Sequence, residues 1–417
     1  MPYGRYGFFY GWLIVAAAFV ILWLTQGMTL AGLTVFDEVL LDAVRQTAET
    51  GDLRGAFKLR DTITMLAAGL LSPVAGALAD RIGVRPLMVG GLLILAAGIA
   101  LYSNVTSLVQ IYVIHALLGV ALACCGLVLN IMIVSRWFVR RRGLAIGIAL
   151  AGTSLGNAAF PQLNAWLITE LGWRSAFAWS GLLPLALIPV VVLVMRERPA
   201  DLGPESPQAG AAASGRAAGM SFHEALRTSN FWILAFIAMG TFYAVLAMAT
   251  HLFLHMRGQG FDVRTAATGI SVMFLLGLFG KIGSGLLADR LGDKWVLVGS
   301  LSIMCGGAWL LVSTNQTTFW PALVLFGLGW GGLYTLLQLL VADCFGLKDL
   351  GKILGTITVL NTLGGALGPS VTGLLFDRFH SYTVPFTVIA TLVLLATLLA
   401  TGLRLVPDRQ ETVRVAT

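Results

Sequence analysis

Charge is scarce in this chain. Asp, Glu, Lys and Arg make up 11% of its 417 residues against 57% hydrophobic ones, and mean hydropathy is +0.86. A soluble domain carries about twice that charge, so the composition excludes an ordinary soluble fold and describes a polytopic membrane protein. Acid is scarcest in the apolar runs: the Asp and Glu residues fall in loops or at helix ends, never centrally in a run. Carriers of organic cations usually need a buried carboxylate as counter-charge, so export of such cations is disfavoured and a proton relay built on Asp or Glu is weakened. Cysteine is rare too. Cys124 and Cys125 are adjacent in an apolar stretch, with Cys305 and Cys344 far away, which gives neither a disulfide framework nor a CxxC redox motif. A Walker loop, a Rossmann turn, a nucleophile elbow and HExxH are all missing, so the expectation is a non-enzyme without cofactor or resident metal.

The net charge is +7 and the pI about 9.5, but the cations cluster in short loops between apolar segments. That pattern sets membrane orientation and does not suggest nucleic acid as a partner. Runs of spanning length lie at roughly 10–33, 60–79, 86–103, 108–134, 144–166, 175–195, 231–254, 266–288, 295–313, 319–341, 352–375 and 384–404. The first lacks a clear small-residue cleavage site and reads as a retained span. The fold class expected is therefore all-α, with twelve transmembrane helices in two six-helix bundles, 1–195 and 231–417, joined by a connecting segment at 196–230. Ser221 and Glu224 form a capping-box pattern in that segment, predicting a short surface helix. Arg81, Arg85, Arg136, Arg140, Arg141, Arg142, Arg196, Arg198, Arg290, Lys294, Lys348, Lys352 and Arg404 all fall on one side, which places both termini in the cytoplasm of a cell membrane. The first outer loop, Asp37 to Lys58, is long and mixed in charge and predicts a partly ordered cap.

The two halves repeat. Gly76-x3-Asp80-Arg81-x-Gly83-x-Arg85 recurs as Gly285-x3-Asp289-Arg290-x-Gly292-x-Lys294 at an offset of 209 residues, and Gly143, Gly147, Gly156 and Pro161 recur as Gly351, Gly355, Gly364 and Pro369 at 208. Duplicated six-helix halves are the architecture of rocking transporters with a site near the midplane.

Lys281 lies eight residues before Asp289, roughly 12 Å into an apolar helix. An ammonium at that depth is costly and usually faces a cavity; the alternative is a lysine that snorkels to the surface. Polar residues that could line a site with it are Gln26 and Thr29 on span one, Asn130 on four, Asn157 and Gln162 on five, Tyr243 and His251 on seven, Tyr334 and Gln338 on ten, and Asn361 on eleven. Any one of them can instead simply bond a neighbouring helix. Arg60 stands near Lys58 and Asp61 at the far end of span two, either in a solvated interfacial cluster or at a mouth that attracts anions. His251 and His255, one turn apart near Met248 and Met256, weakly suggest a copper or zinc carrier, but no Cys or carboxylate completes the set.

At Gly76 to Arg85 the chain resembles the major facilitator superfamily, and the likeness runs essentially full length. Phe9-Tyr10-Gly11-Trp12, and Arg136-Trp137-Phe138-x3-Arg142-Gly143-Leu144-Ala145-x-Gly147, resemble the monocarboxylate transporters and oxalate/formate antiporters within it. The resemblance implies that spans one, two, four, five, seven, eight, ten and eleven line a cavity. It implies that Lys281 stands where the family has a substrate-binding arginine, four residues before Gly285, and that Gly277 stands where the monocarboxylate branch has an aspartate. Lysine keeps the charge but loses the bidentate fork. By the same resemblance Gly76, Asp80, Arg81, Gly83, Arg85, Gly285, Asp289, Arg290 and Lys294 act as an inner gate. The function expected is alternating-access transport of a small organic anion, foremost a monocarboxylate, by a lipid-embedded monomer. A proton is a candidate co-substrate, travelling on His251, Asp61 or the substrate itself; proton-independent anion exchange and a non-transporting sensor are the alternatives.

Overall fold

A computed structural model describes residues 10–45, 53–138, 142–196, 219–312, 316–346 and 349–404. Among these the chain is helical apart from an isolated bridge between Gly219 and Gly346. Span one is Gly11–Thr29 continued by Ala31–Thr34, two is Arg54–Ile82, three Val84–Leu101, four Leu108–Cys125 continued by Leu127–Trp137, and five Arg142–Leu171. Span six runs from Trp173–Ser180 to Ile188–Val194, seven is Ser229–Gly258, eight Val263–Leu291, nine Asp293–Val312, eleven Leu350–Phe379 and twelve Thr383–Thr401. These eleven stretches are long and apolar enough to cross a membrane. The expected tenth span is split into Gln316–Gly331 and Leu333–Phe345, neither of which is long enough alone. Its break is where span ten presses on span eight: a Cβ on Gly331 would strike the Gly277 carbonyl, and one on Gly332 would strike the Ser284 side chain.

Two other breaks are held by asparagines. The Asn130 amide donates to the carbonyls of Cys125 at 2.9 Å and Gly126 at 2.8 Å, securing the kink in span four. The Asn157 side-chain oxygen accepts the Ala31 N–H at 3.2 Å, where span one restarts. Backbone groups freed at a helix break must find such partners in lipid.

Packing repeats with the sequence. Spans one and five, two and four, three and four, and three and six pair in the first half as seven and eleven, eight and ten, nine and ten, and nine and twelve do in the second. The repeated glycines Gly156 and Gly364 sit at equivalent crossings, where a Cβ would meet the backbone of Trp23 and of Met239. The main cross-half contacts are two with eleven and five with eight; three, six, nine and twelve stay outside them. Trp232 and Trp295 are exposed at the end bearing the termini and Trp166 and Trp309 toward the other, as expected of residues at the membrane interfaces.

The expected cap is a helix, Asp37–Arg45, lying at the end opposite the termini. It straps the halves together: Asp37 bonds Lys58 and Arg60 of span two, and Glu38 makes a fork with Arg257 of span seven at 2.7 and 3.2 Å. At the termini end the expected surface helix is Phe222–Leu226, with both bonds of the Ser221/Glu224 capping box formed.

Candidate substrate site

Spans two and eleven form an antiparallel ladder that starts at the strap end. The backbone N–H groups of Arg54 and Gly55 donate to the Asp377 carboxylate at 2.9 and 2.6 Å, Thr62 bonds Ser370 at 2.8 Å, and Gly69 lies 3.5 Å, at its would-be Cβ, from Thr362. Continuing the register would set Gly76 against Gly355, yet a Cβ on either has no neighbour within 4 Å. Spans five and eight behave alike. Arg264 pairs with Glu170 at 3.3 Å, Gln162 donates to Thr268 at 3.0 Å, and Lys281 donates to Ser154 at 2.9 Å; beyond that rung Gly147 and Gly285 meet open space. The halves are thus zipped at the strap end and parted at the termini end, and Lys281 stands where they part.

Lys281 is half-buried. Its ammonium reaches the Ser154 hydroxyl and lies 5.7 Å from the centre of the Trp330 ring, whose indole N–H is buried without a hydrogen-bond partner. Among the described residues no carboxylate pairs with Lys281, whereas the buried cations Lys58 and Arg60 both bond Asp37. Ammonium, hydroxyl and indole N–H all offer protons, which is the chemistry an anion needs. Trp330 also fills the space over Gly277: a Cβ there would lie 2.6 Å from the indole ring.

The other candidates divide. Asn361 is buried on span eleven, and Gln26 is half-buried on span one. Tyr243 is buried with its hydroxyl 3.4 Å from Thr372. Asn130 and Asn157 are engaged at helix breaks, as above. His251 has no ring nitrogen to spare: Nε2 donates to the Pro369 carbonyl at 2.8 Å, which leaves Nδ1 to accept from the Tyr382 hydroxyl at 3.1 Å. Its neighbour His255 stacks on Phe319. The side chains of Tyr334 and Gln338 lie outside the described residues. Arg60 is neither solvated nor at a mouth; it is fully buried, bonded to Asp37 and 3.5 Å from Asp61. Sequence reasoning missed Ser154 and Trp330, whose residue types are ordinary in apolar helices and whose positions only packing reveals.

In the repeated turns Gly83 and Gly292 adopt φ of +90° and +82°, a conformation suited to glycine, and end spans two and eight. Arg85 donates to the Met195 carbonyl at the end of span six, and Lys294 to the Leu403 carbonyl after span twelve at 2.7 Å. Both satisfy helix-end carbonyls within their own half. Arg81 and Arg290 are exposed, and the Asp80 and Asp289 side chains lie outside the described residues. Tyr10 packs on Trp137 with centroids 5.3 Å apart and Trp12 on Phe138 at 4.9 Å, so the motif opening span one and the motif leading into span five touch each other. Phe9 falls outside the described residues.

Two equivalent sets of spanning helices, parted around an interior cation that has no carboxylate partner among the described residues, define a membrane carrier class. The family model of the Major Facilitator Superfamily matches residues 48–346 and 260–416. Bovine monocarboxylate transporter 13 is 30% identical over 322 residues, covering 76% of this chain and 73% of that one. Rat monocarboxylate transporter 13 is 27% identical over 91% and 85%. A bacterial homologue of the human lysosomal transporter Spinster, solved inward-facing and occupied, shares the fold with TM-score 0.73 and 15% identity over 96% of both chains. The chain belongs to the major facilitator superfamily and is monocarboxylate-transporter-like.

Proposed function

We propose that the protein is a secondary active carrier that moves a small organic anion, a monocarboxylate foremost, across the cytoplasmic membrane by alternating access. The carrying observation is Lys281, an interior cation with no carboxylate partner among the described residues, at the last rung between spans five and eight. A carboxylate would take the ammonium, the Ser154 hydroxyl and the Trp330 N–H, with Asn361, Tyr334, Gln338 and Gln26 as further lining. Residues 1–195 and 231–417 are the two moving units, and with both termini cytoplasmic the present state is open to the inside. The repeated turns then close the inner side in the opposite state, through pairs that solvent allows to form and break at modest cost. Proton-independent exchange of two anions is the second reading, favoured because Trp330 fills the place over Gly277 where an acid on span eight would stand.

The test is thermal unfolding of the purified protein against a panel of carboxylates, in wild type and Lys281→Ala. A ligand that binds only the folded state adds about 2.7 kcal/mol at a hundredfold excess over Kd. One carboxylate is expected to raise the wild-type Tm and leave the variant unmoved. No response to any anion, or an equal response in both, overturns the reading.

A further inference from the structure

We infer that Asp61 is the site at which this carrier binds a coupling proton, within the four-charge cluster Asp37, Lys58, Arg60 and Asp61. The inference rests on the anion-carrier reading and selects proton coupling over exchange.

The cluster is electrically balanced when all four groups are ionised, but its two carboxylates are not held alike. Asp37 is fully buried and takes hydrogen bonds from both Lys58 and Arg60. Asp61 has only looser pairs, 3.5 Å from Oδ1 to Arg60 and 3.8 Å from Oδ2 to the Lys58 ammonium, and that Oδ2 is buried without a hydrogen bond. A carboxylate is an acceptor on every lone pair, so an unbonded buried oxygen is costly while ionised. Protonating it removes the charge from that oxygen and turns it into a donor. Asp61 is also the least enclosed member, its side chain 13% exposed while those of Asp37, Lys58 and Arg60 are sealed. A proton therefore enters and leaves the cluster at Asp61.

Among the described residues the surroundings add no competing carboxylate. The turn after span three contributes the Tyr102 hydroxyl and span four His115, whose Nδ1 bonds Thr64 at 2.7 Å. Span seven contributes His251, engaged at both nitrogens, and the Thr250 carbonyl, which accepts from Lys58. Two unbonded nitrogens of Arg60, the Tyr102 hydroxyl and His115 Nε2 are likewise unsatisfied, so the cluster has polar capacity in reserve.

Two links tie this proton to transport. The Lys58 bond to Thr250 joins span two to span seven across the halves, so parting the strap end breaks it and opens Asp61 to water on that side. Protonation of Asp61 also leaves the cluster one positive charge in excess, which favours entry of an anion. The balance is simple: one proton leaves bulk water on one side for Asp61 Oδ2, one carboxylate binds, and both are released on the other side, so a neutral sum crosses.

Two measurements on the full chain test this. In infrared difference spectra between acidic and alkaline buffer, the carboxylic-acid C=O band of the wild type should disappear in Asp61→Asn and persist in Asp42→Asn, an exposed control. In proteoliposomes, with pyruvate and formate as probes, a pH gradient should drive accumulation by the wild type, while Asp61→Asn exchanges the probe at equal concentrations yet fails to accumulate it. That exchange also shows that the variant folds. Accumulation by Asp61→Asn at the wild-type level, or a band that survives the substitution, overturns the inference. Wild type that neither exchanges nor accumulates any carboxylate overturns the anion reading instead, and the infrared band still decides whether Asp61 takes the proton.

Discussion

Lys281 and Gly277 lie one turn apart on span eight, and Trp330 decides what that pair can do. With the indole ring over Gly277, no side chain fits there unless the ring moves. Gly277→Asp is therefore overpacked and should lower stability by about 1–3 kcal/mol. Combining it with Trp330→Ala frees the space and lets the new carboxylate reach Lys281. The double variant is expected to unfold later than the sum of the single changes predicts, with a coupling of about 0.5–3 kcal/mol, and to lose carboxylate-induced stabilisation because its ammonium is already paired. Unfolding curves of the four proteins check this; strict additivity would mean that Trp330 does not guard Gly277. The depth of Lys281 was legible from its distance to Asp289 along an apolar run. Ser154 and Trp330 were not, because hydroxyl and indole groups are common in spans and only the crossing of five with eight and eight with ten brings them to the ammonium.

At the scale of elements the strap helix is the clearest departure from a simple bundle. Its first two residues have opposite allegiances, Asp37 to span two and Glu38 to span seven, and the environments of the two bonds differ. Asp37 is sealed with two cations, so Asp37→Asn leaves buried positive charge without its partner and should cost about 3–5 kcal/mol. The Glu38–Arg257 pair is 40% and 28% exposed, so Glu38→Gln should cost at most about 1 kcal/mol of stability. Thermal unfolding is expected to separate the two variants widely; similar shifts would mean that the Asp37 cluster is hydrated. The mixed charge of this loop predicted a partly ordered cap, and the repeat predicted which spans correspond. Sequence could not pair Asp37 with Lys58 and Arg60, which lie 21 and 23 residues away across a connection, and Asp61, one turn from Lys58, looked the nearer partner. The breaks at Gly126 and Gly332 were equally hidden, since hydropathy runs straight through both.

At the scale of the whole molecule, closure is a matter of which glycines meet. Gly156 and Gly364 are buried at crossings within each half and hold each half's shape in any state. Gly76, Gly147, Gly285 and Gly355 face open space now, on the continuation of the two cross-half ladders. If the carrier works by rocking, those four surfaces come together when the strap end opens, and their lack of side chains lets the helices approach as small residues do elsewhere in membranes. Gly147→Leu and Gly355→Leu then add bulk that the present state tolerates and the opposite state does not. Moving a two-state equilibrium from even to 99:1 takes about 2.7 kcal/mol, which is within the cost of one overpacked crossing. The expected result is a double variant with an unchanged Tm and retained carboxylate stabilisation but with exchange across proteoliposomes lost, because it binds substrate without being able to turn. Wild-type exchange rates in that variant would show that these glycines do not meet, and that the termini end closes on other surfaces.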